Sequence, residues 1–272
     1  LLVFLKLIKK NKFVTYLVFV LIILNVLVLI AYNKKKIKKY FYKTKILEKD
    51  ITDLHKIFNL KKISNDLNGP TKNSIVKNFC ITAENQIIGM TSNYESWIIS
   101  VLSTISKNIL EFGTCSGKTT YLMALNSDKD SKIYTVTLNP SDTKNIYKRN
   151  GDSKIAQKNI INETIYDKFL FSGEPEEKKI KVFFMNSLTF DESNFLDKMD
   201  LIFIDGGHTF SVIKNDSEKA FKMIKSKGVV LWHDYNPGKN SSKDVVRYLD
   251  SISKNKEIFK IKNTSLCFYQ KD

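Results

Sequence analysis

The sequence predicts an α/β domain with a mostly parallel, doubly wound sheet covered by helices, preceded by one N-terminal transmembrane helix. From residue 80 onward, short and almost continuously apolar runs alternate with helical patterns. This alternation is typical of parallel strands that are buried on both faces. Ahead of the domain, residues 13–32 contain no charged side chain.

The charge-free stretch is long enough to cross a bilayer. As a helix rising about 1.5 Å per residue, it spans roughly 30 Å, the thickness of the hydrocarbon core. A cleaved signal peptide would have a shorter apolar run and a small-residue cleavage site, and the stretch has no A-x-A-like site. We therefore expect an uncleaved, single-pass membrane anchor over residues 13–32.

Lysines flank the predicted anchor unequally. Residues 1–12, a basic flank, contain four lysines, and residues 33–45 contain seven, with no acid in either segment. The excess after the anchor predicts that the main domain lies in the cytoplasm. The chain has a net charge of +16, but Arg149 and Arg247 are its only arginines. Nucleic acid is therefore not an expected partner.

Residues 33–79 are predicted to form a lysine-rich neck and linker, with a helix over 40–63, and residues 80–272 are predicted to form the globular domain. The patterns within the domain predict five strands, a closing antiparallel pair, four helices and a polar insertion or lid. The strands are expected near residues 109–110, 132–138, 180–185, 200–205 and 228–232, the closing pair at 258–262 and 266–270, the helices at 93–105, 119–125, 211–224 and 242–252, and the insertion at 141–178.

Residues 109–120, ILEFGTCSGKTT, join a strand to a helix through two glycines. Glu111 ends the strand, and Gly113 and Gly117 bracket a three-residue turn. Glycine permits a positive φ and lets a ligand approach the backbone closely. The helix N-terminus adds free N–H groups and a positive dipole end. The motif predicts a loop that binds a nucleotide cofactor.

Three cofactor loops compete with a strand–turn–helix that binds nothing. A Walker A loop has four residues between its first glycine and Gly-Lys-Thr, but here there are three, and Phe112 stands at the glycine position. A dinucleotide fingerprint requires glycine where Cys115 stands. The pattern acid-x-G-x-x-x-G, in which the acid and backbone amides hold the amino-acid part of S-adenosylmethionine, fits without change.

Two further strand ends carry acids and histidines. Asp205 and His208 follow the fourth strand, and His233 and Asp234 follow the fifth. Because the carboxyl ends of parallel strands share one edge, we expect these side chains near Glu111. Two carboxylates can hold a hard divalent cation, and a histidine can accept a proton from a substrate hydroxyl. A hydrogen-bonded structural role is the alternative for each histidine.

Five stretches together carry a family resemblance: IIGMTS, ILEFGTCSGKTT, IYTVTLNP, DLIFIDGGHTFSVIKND and GVVLWHDYNP. Residues from about 85 to 270 resemble the class I S-adenosylmethionine-dependent methyltransferases, and most closely their small-molecule and sugar O-methyltransferases with a metal-assisted site. The resemblance implies a Rossmann-like sheet with a terminal antiparallel strand, S-adenosylmethionine as methyl donor, and Mg²⁺ or another divalent cation.

The resemblance also assigns roles to residues. It makes His208 the candidate base, and it places Asp205 beside the reacting methyl group and on the metal together with Asp234. The cofactor-binding residues that it implies are Glu111, Gly113, Thr114, Ser116, Gly117, Thr137, Asn186, Ser187 and Asp205. The expected partners are a small-molecule or glycan acceptor, the membrane through the N-terminal helix, and a second copy of the chain.

Two positions depart from the family pattern. Thr137 stands where an acid usually binds the ribose hydroxyls, and Asn186 stands where an acid often lies near the adenine. Weaker cofactor binding, compensation by Asp142 and loss of activity are the three consequences left open. The alternatives to a membrane-anchored methyltransferase are thus an inactive, membrane-tethered binding or scaffold domain and a P-loop nucleotide hydrolase.

Overall fold

The computed structural model describes residues 16, 20–31, 45–64, 67–83, 86–88, 91–145 and 149–272. The chain divides into two compact units, Leu1–Thr44 and Lys45–Asp272. In the first unit, residue 16 and residues 20–31 are helical. The rest of the predicted anchor and its basic flank lie outside the described residues. Within the described ranges, no helix has both the length and the apolar character needed to cross a bilayer.

The strands and helices of the second unit have the following bounds. The strands are β1 (Leu47–Lys49), β2 (Leu60–Ser64), β3 (Leu67–Pro70), β4 (Ile81–Ala83), β5 (Gln86–Ile88), β6 (Asn108–Phe112), β7 (Lys132–Thr137), β8 (Ile180–Phe184), β9 (Met199–Ile204), β10 (Ile224–Trp232), β11 (Phe259–Ile261) and β12 (Cys267–Gln270). The α-helices are α1 (Asn93–Thr104), α2 (Lys118–Asn126), α3 (Lys154–Glu163), α4 (Phe210–Met223) and α5 (Lys243–Ile252). Short 3₁₀ helices cover Lys72–Ser74, Pro140–Asn145, Pro175–Lys179, Ser187–Thr189, Ser193–Phe195 and Asn240–Ser242.

Eight strands form one sheet in the order β1-β11-β12-β10-β9-β6-β7-β8. Neighbours from β10 to β8 are parallel, whereas β12 is antiparallel to both β10 and β11. Phe112 at the end of β6 pairs with Val136 in β7 and Ile204 in β9, so three carboxyl ends meet at one edge. The predicted Rossmann-like, mostly parallel sheet with a closing antiparallel strand is confirmed.

Helices cover both faces of the sheet because successive strand residues point to opposite sides. In β6, Ile109 joins one buried cluster with Ile99 of α1, whereas Leu110 joins another with Met223 of α4. Both strand residues are fully buried. Burying a side chain of this size stabilises the fold by about 1.5–3 kcal/mol. The two clusters fix β6 at the centre of the domain, and with it the turn that follows.

The compact unit begins at Lys45, not at residue 80. Its first strand, β1, pairs in parallel with β11 near the other end of the chain. The predicted helix over 40–63 is wrong in its described part, residues 45–63, which contains β1, a run of turns and β2. Leu54 and Phe58 are buried against the domain, and such tertiary burial overrides local helix propensity.

Candidate active site

The turn after β6 is held tightly between the ends of two neighbouring strands. The Gly113 N–H donates to the carbonyl of Val136 at 2.9 Å, and the Asp205 N–H donates to the carbonyl of Phe112 at 2.9 Å. Gly113 has φ +102°, and a Cβ there would lie 2.3 Å from the carbonyl oxygen of Asp205. Only glycine meets both requirements. The turn therefore brings the start of α2 directly beside the end of β9.

Part of the predicted insertion packs over this turn. The Leu170 N–H donates to the carbonyl of Ser116 at 3.0 Å. Gly117, with φ +81°, is the residue before α2, and a Cβ there would come within 2.8 Å of Phe169 and Phe171. Close packing, together with the positive φ, accounts for the second glycine. The insertion is thus a fixed cover on this part of the loop.

Glu111 lies beneath the glycine loop. Its side chain is fully buried, and Oε2 accepts hydrogen bonds from the hydroxyls of Thr120 and, at 2.7 Å, Thr135. Burial raises its pKa to about 8, although these two hydrogen bonds favour the charged form. Glu111 is not among the described residues that line the cavities below. In this structure it ties β6, β7 and α2 together, and direct contact with a cofactor remains a prediction.

A first cavity, the strand-end cavity, lies at the carboxyl ends of β6 to β9. It encloses about 740 Å³, counting the space at its mouth, within the usual range of small-molecule sites. The predicted cofactor residues on its wall are Gly113, Thr137, Asn186, Ser187 and Asp205. The sheet thus gathers five of the nine predicted residues around one cavity.

Helices add two acids to the strand-end cavity that the sequence patterns did not single out. Glu163 ends α3, and Asp216 lies in the middle of α4. Asp216 is 1% exposed and accepts a hydrogen bond from the Asn215 amide at 2.9 Å. Burial raises its pKa to about 6, and burial also raises the pKa of Glu163. Asp142, expected to compensate for Thr137, is exposed and is not among the described wall residues.

A second cavity, the acid–histidine cavity, adjoins the first. It encloses about 930 Å³ with its mouth, and the predicted residues on its wall are Gly113, Thr114, Ser116, Asp205, His208 and Asp234. Both cavities are bordered by Gly113, Cys115, Glu163 and Asp205. These shared residues mark the junction at which a group bound in one cavity would meet a group bound in the other.

The acids and histidines predicted at the strand ends form one cluster. His208 Nε2 lies 2.8 Å from Asp234 Oδ2 and 3.8 Å from Asp205 Oδ1. His233 Nδ1 lies 3.0 Å from Asp205 Oδ1 and 3.3 Å from Asp234 Oδ2. Asp234 has φ +60°. Non-glycine residues held in this left-handed conformation cluster at functional sites. Each imidazole of the cluster therefore lies close to both carboxylates.

The two histidines act as counter-charges to the two acids. Burial alone would lower the pKa of His208, but the hydrogen bonds and charges of Asp205 and Asp234 outweigh it and raise that pKa to about 10. The pKa of His233 is raised for the same reason. Burial acts against ionisation of Asp205 and Asp234, yet the histidines hold the pKa of each below its usual range. The acids and the imidazoles of the cluster therefore favour each other's charged forms.

Glu95 extends this cluster towards α1. Its Oε2 lies 3.6 Å from His233 Nε2, and its Oε1 accepts the Ser265 N–H at 2.7 Å. It also forms a capping box with Ser92 at the start of α1. The Ser-x-x-Glu spacing was the available sequence signal, and it indicates a helix start rather than a site. Glu95 was therefore missed as a partner of the histidines.

Comparison with known proteins gives the following matches. Residues 110–235 match a family model described as a methyltransferase domain. Among solved structures, a putative caffeoyl-CoA O-methyltransferase from Staphylococcus aureus is 20% identical, with 68% of this chain and 86% of that chain covered and a TM-score of 0.49. The S-adenosylhomocysteine-bound methyltransferase PaMTH1 of Podospora anserina is 12% identical, with 67% of this chain and 80% of that chain covered and a TM-score of 0.48. The O-methyltransferase TomG of Streptomyces achromogenes, in complex with S-adenosylmethionine, is 13% identical, with 66% of this chain and 81% of that chain covered and a TM-score of 0.46. No curated protein matches the chain.

Proposed function

We propose that the domain matched over residues 110–235, a methyltransferase domain, is a class I S-adenosylmethionine-dependent enzyme that methylates a hydroxyl oxygen of a sugar or another small polar acceptor. The observation that carries the proposal is the position of Asp205, His208 and Asp234. They border a cavity that meets the strand-end cavity at the glycine loop. A donor in one cavity and an acceptor in the other would react at that junction.

The strand-end cavity suits the nucleoside and sulfonium parts of S-adenosylmethionine. Thr137, Asn186 and Ser187 offer hydrogen-bonding groups to a nucleoside. The charged side chains among its wall residues, Glu163, Asp205 and Asp216, are all acids. Such a wall attracts a sulfonium cation and repels a triphosphate, because opposite charges attract most strongly at low dielectric. This charge pattern argues against the P-loop alternative.

The cluster also fits a divalent cation. Asp205, His208 and Asp234 each offer one ligand atom, and these atoms lie within 4.8 Å of one another. Carboxylate oxygens are ligands that Mg²⁺ and Mn²⁺ accept. We assign Asp205 and Asp234 to the cation and keep His208 as the base. A bound cation would lower the pKa of the acceptor hydroxyl and orient it.

His208 accepts the hydroxyl proton in the proposed reaction. The acceptor oxygen then forms a bond to the methyl carbon while the carbon–sulfur bond breaks, and the cofactor leaves as a neutral thioether. His208 can do this only when its ring is neutral, and the charges of Asp205 and Asp234 oppose that state. Using both acids as cation ligands reduces their pull on the imidazole. The proposal therefore links the base to cation binding.

A methyl-transfer assay tests the proposal. The full-length protein is mixed with labelled S-adenosylmethionine and a panel of sugars and phenols, with Mg²⁺ or with a chelator. We expect the rate of methyl transfer to fall by a factor of about 10²–10⁴ in His208→Gln, the range for loss of a general base. His55→Gln is the matched control, because His55 lies in a turn between β1 and β2.

Two results would contradict the proposal. Absence of S-adenosylmethionine binding at millimolar concentration would exclude a methyltransferase. Tight binding of S-adenosylmethionine without methyl transfer to any acceptor would favour the inactive binding or scaffold domain, provided that Asp234→Asn also leaves this binding unchanged.

We further propose that residues 13–32 anchor the protein in a membrane, with the domain in the cytoplasm. The support is the uncharged sequence and the exposure of apolar side chains in its described helical part, where Val28 and Leu29 are 65% and 58% exposed. A helix that is apolar on every side is typical of a membrane environment. Full-length protein should stay with the membrane after an alkaline carbonate wash, and a chain lacking residues 1–44 should not. Equal release of both would refute the anchor.

A further inference from the structure

The edge of the sheet opposite the proposed active site has a cavity lined by lysines. This cavity encloses about 680 Å³, counting the space at its mouth, and it contains the starts of β9 and β10. The charged side chains among its described wall residues are those of Lys56, Asp200, Lys225 and Lys227. Leu102 of α1 also lines it, so the cavity lies on the α1 side of the sheet.

A second basic cavity lies on the α5 side of the same edge. It encloses about 840 Å³ with its mouth and contains the starts of β1 and β11. These strands run in the direction of β10, because β12 is antiparallel to both β10 and β11, and β1 is parallel to β11. The charged side chains among its described wall residues are those of Lys45, Lys254, Lys256 and Glu257. Both basic cavities therefore lie where strands begin.

The two edges of the sheet carry opposite charges. Among the described wall residues, the two basic cavities have six lysines and two acids. The strand-end and acid–histidine cavities, at the carboxyl ends of the strands, have four acids, one lysine and His208. An anionic surface would attract the first edge and repel the second. The charge distribution thus favours one orientation of the domain on such a surface.

The lysines of the basic cavities are available for binding. All of them except Lys256 are exposed, and in the part of the chain that the structure describes, Lys225 alone among the six forms an ion pair, with Asp200. The Lys256 ammonium group lies 4.2 Å from the ring centroid of Phe221 and 5.4 Å from that of Tyr269. Such contacts hold a cation in place without neutralising it.

The chain enters the domain at this basic edge. Lys45 is the first residue of the compact unit and also lines the second basic cavity. Residues 33–44, which join it to the predicted anchor, contain six lysines and no acid. Twelve residues span at most about 40 Å, so an anchored domain stays near the lipid headgroups. An anionic leaflet attracts basic segments beside an anchor, and the basic cavities continue this charge onto the folded domain.

We propose that one surface of the domain, the amino-end face, rests on anionic lipid headgroups. It is formed by Lys45, Lys56, Lys225, Lys227, Lys254 and Lys256. This inference rests on the membrane anchor proposed above and adds an orientation to it. Lysines from both sides of the sheet can contact one lipid surface because they share an edge. The acid-lined cavities then open away from the bilayer, and the acceptor reaches them from water.

Lysine labelling of the full-length protein tests this orientation. The protein is placed in nanodiscs of phosphatidylcholine, with or without phosphatidylglycerol, and treated with an amine-reactive ester. Mass spectrometry gives the labelling rate of each lysine. We expect Lys225 and Lys254 to react at least about threefold more slowly in the anionic nanodiscs, because headgroups cover them. This protection should disappear in 1 M salt, where charges are screened over about 3 Å.

Lys239 is the matched control within the same molecule. Its side chain is 44% exposed, against 46% for Lys225, and each of the two lysines forms an ion pair with an aspartate. Lys239 follows β10 and Lys225 lies near its start, so the two report on opposite edges of the sheet. Lys239 should react at the same rate in both kinds of nanodisc.

Charge reversal identifies the lysines responsible. Lys56→Glu combined with Lys254→Glu changes one lysine in each basic cavity and should abolish the protection of Lys225. Lys158→Glu combined with Lys214→Glu makes the same change of charge at exposed positions on α3 and α4. This control should leave the protection intact. Both double variants should melt close to the wild type, since every substituted side chain is exposed.

Four results would overturn the proposed face. Equal labelling of Lys225 in both nanodiscs would exclude contact with anionic lipid, and protection of Lys225 and Lys239 alike would exclude the orientation. Protection that persists in 1 M salt would indicate an apolar contact instead. If inorganic phosphate protects Lys225 as well in neutral nanodiscs, the face binds a soluble anion.

The anchor and the amino-end face can fail separately. A full-length chain that does not enter nanodiscs would refute the anchor, and sedimentation with phosphatidylglycerol vesicles would then decide about the face. Binding that is lost in the Lys56→Glu, Lys254→Glu variant would support the face, and absence of binding would refute it. None of these measurements uses methyl transfer, so their results are independent of the proposed reaction.

Discussion

The two halves of the site are built in different ways. The loop half, which comprises residues 113–120 and the acid–histidine cavity, takes its charged groups from strand ends, except for Lys118 at the start of α2 and Glu163 at the end of α3. The nucleoside half, which is the part of the strand-end cavity beyond Thr137, has neutral side chains at its strand ends apart from Asp205, and its other acids, Glu163 and Asp216, come from helices. In the proposed function, the reacting groups would therefore depend on the sheet, and cofactor affinity would depend more on the helices packed against it.

This difference separates catalysis from affinity. The loop half is fixed by backbone hydrogen bonds from Gly113 and Asp205 to neighbouring strands. Two acids of the nucleoside half, Glu163 and Asp216, lie on α3 and α4 and not on the sheet. A nucleoside half that binds the cofactor weakly is thus compatible with a complete cluster of acids and histidines. Three variants probe this comparison, from the largest expected effect to the smallest.

Gly113→Ala should disable the loop half. A Cβ would lie 2.3 Å from the backbone carbonyl of Asp205, at φ +102°, so both strand ends must move. We expect a loss of roughly 4 kcal/mol or more in the free energy of unfolding, seen as a fall of roughly 10 °C in melting temperature. Methyl transfer should fall below detection.

Gly151→Ala is the matched control for this variant. Gly151 has a similar φ of +95°, but nothing lies within 4 Å of an added Cβ. Gly151→Ala should lower the free energy of unfolding by about 1–2 kcal/mol, because only the backbone conformation is unfavourable there. Equal losses in the two variants would show that close packing against Asp205 does not matter.

Glu111→Gln tests whether the acid beneath the loop is a structural group or a cofactor ligand. The folded protein raises its pKa from the ordinary 4.5 to about 8. Stability from this group is therefore complete below about pH 4.5 and is lost as the pH rises towards 8. The glutamine variant cannot ionise, so its free energy of unfolding should exceed that of the wild type increasingly between these values. At about 1.4 kcal/mol per pKa unit, the gain at pH 7 is on the order of a few kcal/mol.

Chemical denaturation at pH 5 and pH 7.5 measures this gain, and calorimetry measures cofactor affinity. The exposed Glu218→Gln serves as the control, with little change expected at either pH. The structure predicts that Glu111→Gln leaves affinity for S-adenosylmethionine nearly unchanged. A large loss of affinity with unchanged stability would instead make Glu111 a direct ligand, as the motif implies.

The position of the acids and histidines at the strand ends could be predicted from the sequence, because it follows from the topology of the sheet. Asp205 comes directly after one apolar run, and Asp234 comes two residues after another. Parallel strands bring such positions to one edge. His208, three residues beyond Asp205, follows the same logic. The counter-charge role of the histidines was not predictable, because it depends on distances of about 3 Å that no spacing fixes.

Residues placed by tertiary contacts escaped sequence analysis. Glu163 reaches the site only because α3 folds back over the sheet, and β1 joins the domain only by pairing with β11. Asp216 did leave a signal: together with Ile213 and Ala220 it lies on the buried stripe of α4, and an acid at that spacing is unusual. Such an acid deserves a test as a site residue.

Thr137→Asp should strengthen the nucleoside half slightly. It places an acid at the end of β7, where ribose hydroxyls can donate to it, and a hydrogen bond to a charged group contributes about 1.5–3 kcal/mol. Glu163 borders the same cavity, and its repulsion offsets part of this gain. We therefore expect an increase of only a few-fold in affinity for S-adenosylhomocysteine by calorimetry, with kcat unchanged and Thr137→Asn as the uncharged control. If affinity stays constant or falls, the helix acids already bind the ribose, and the two halves are then equally complete.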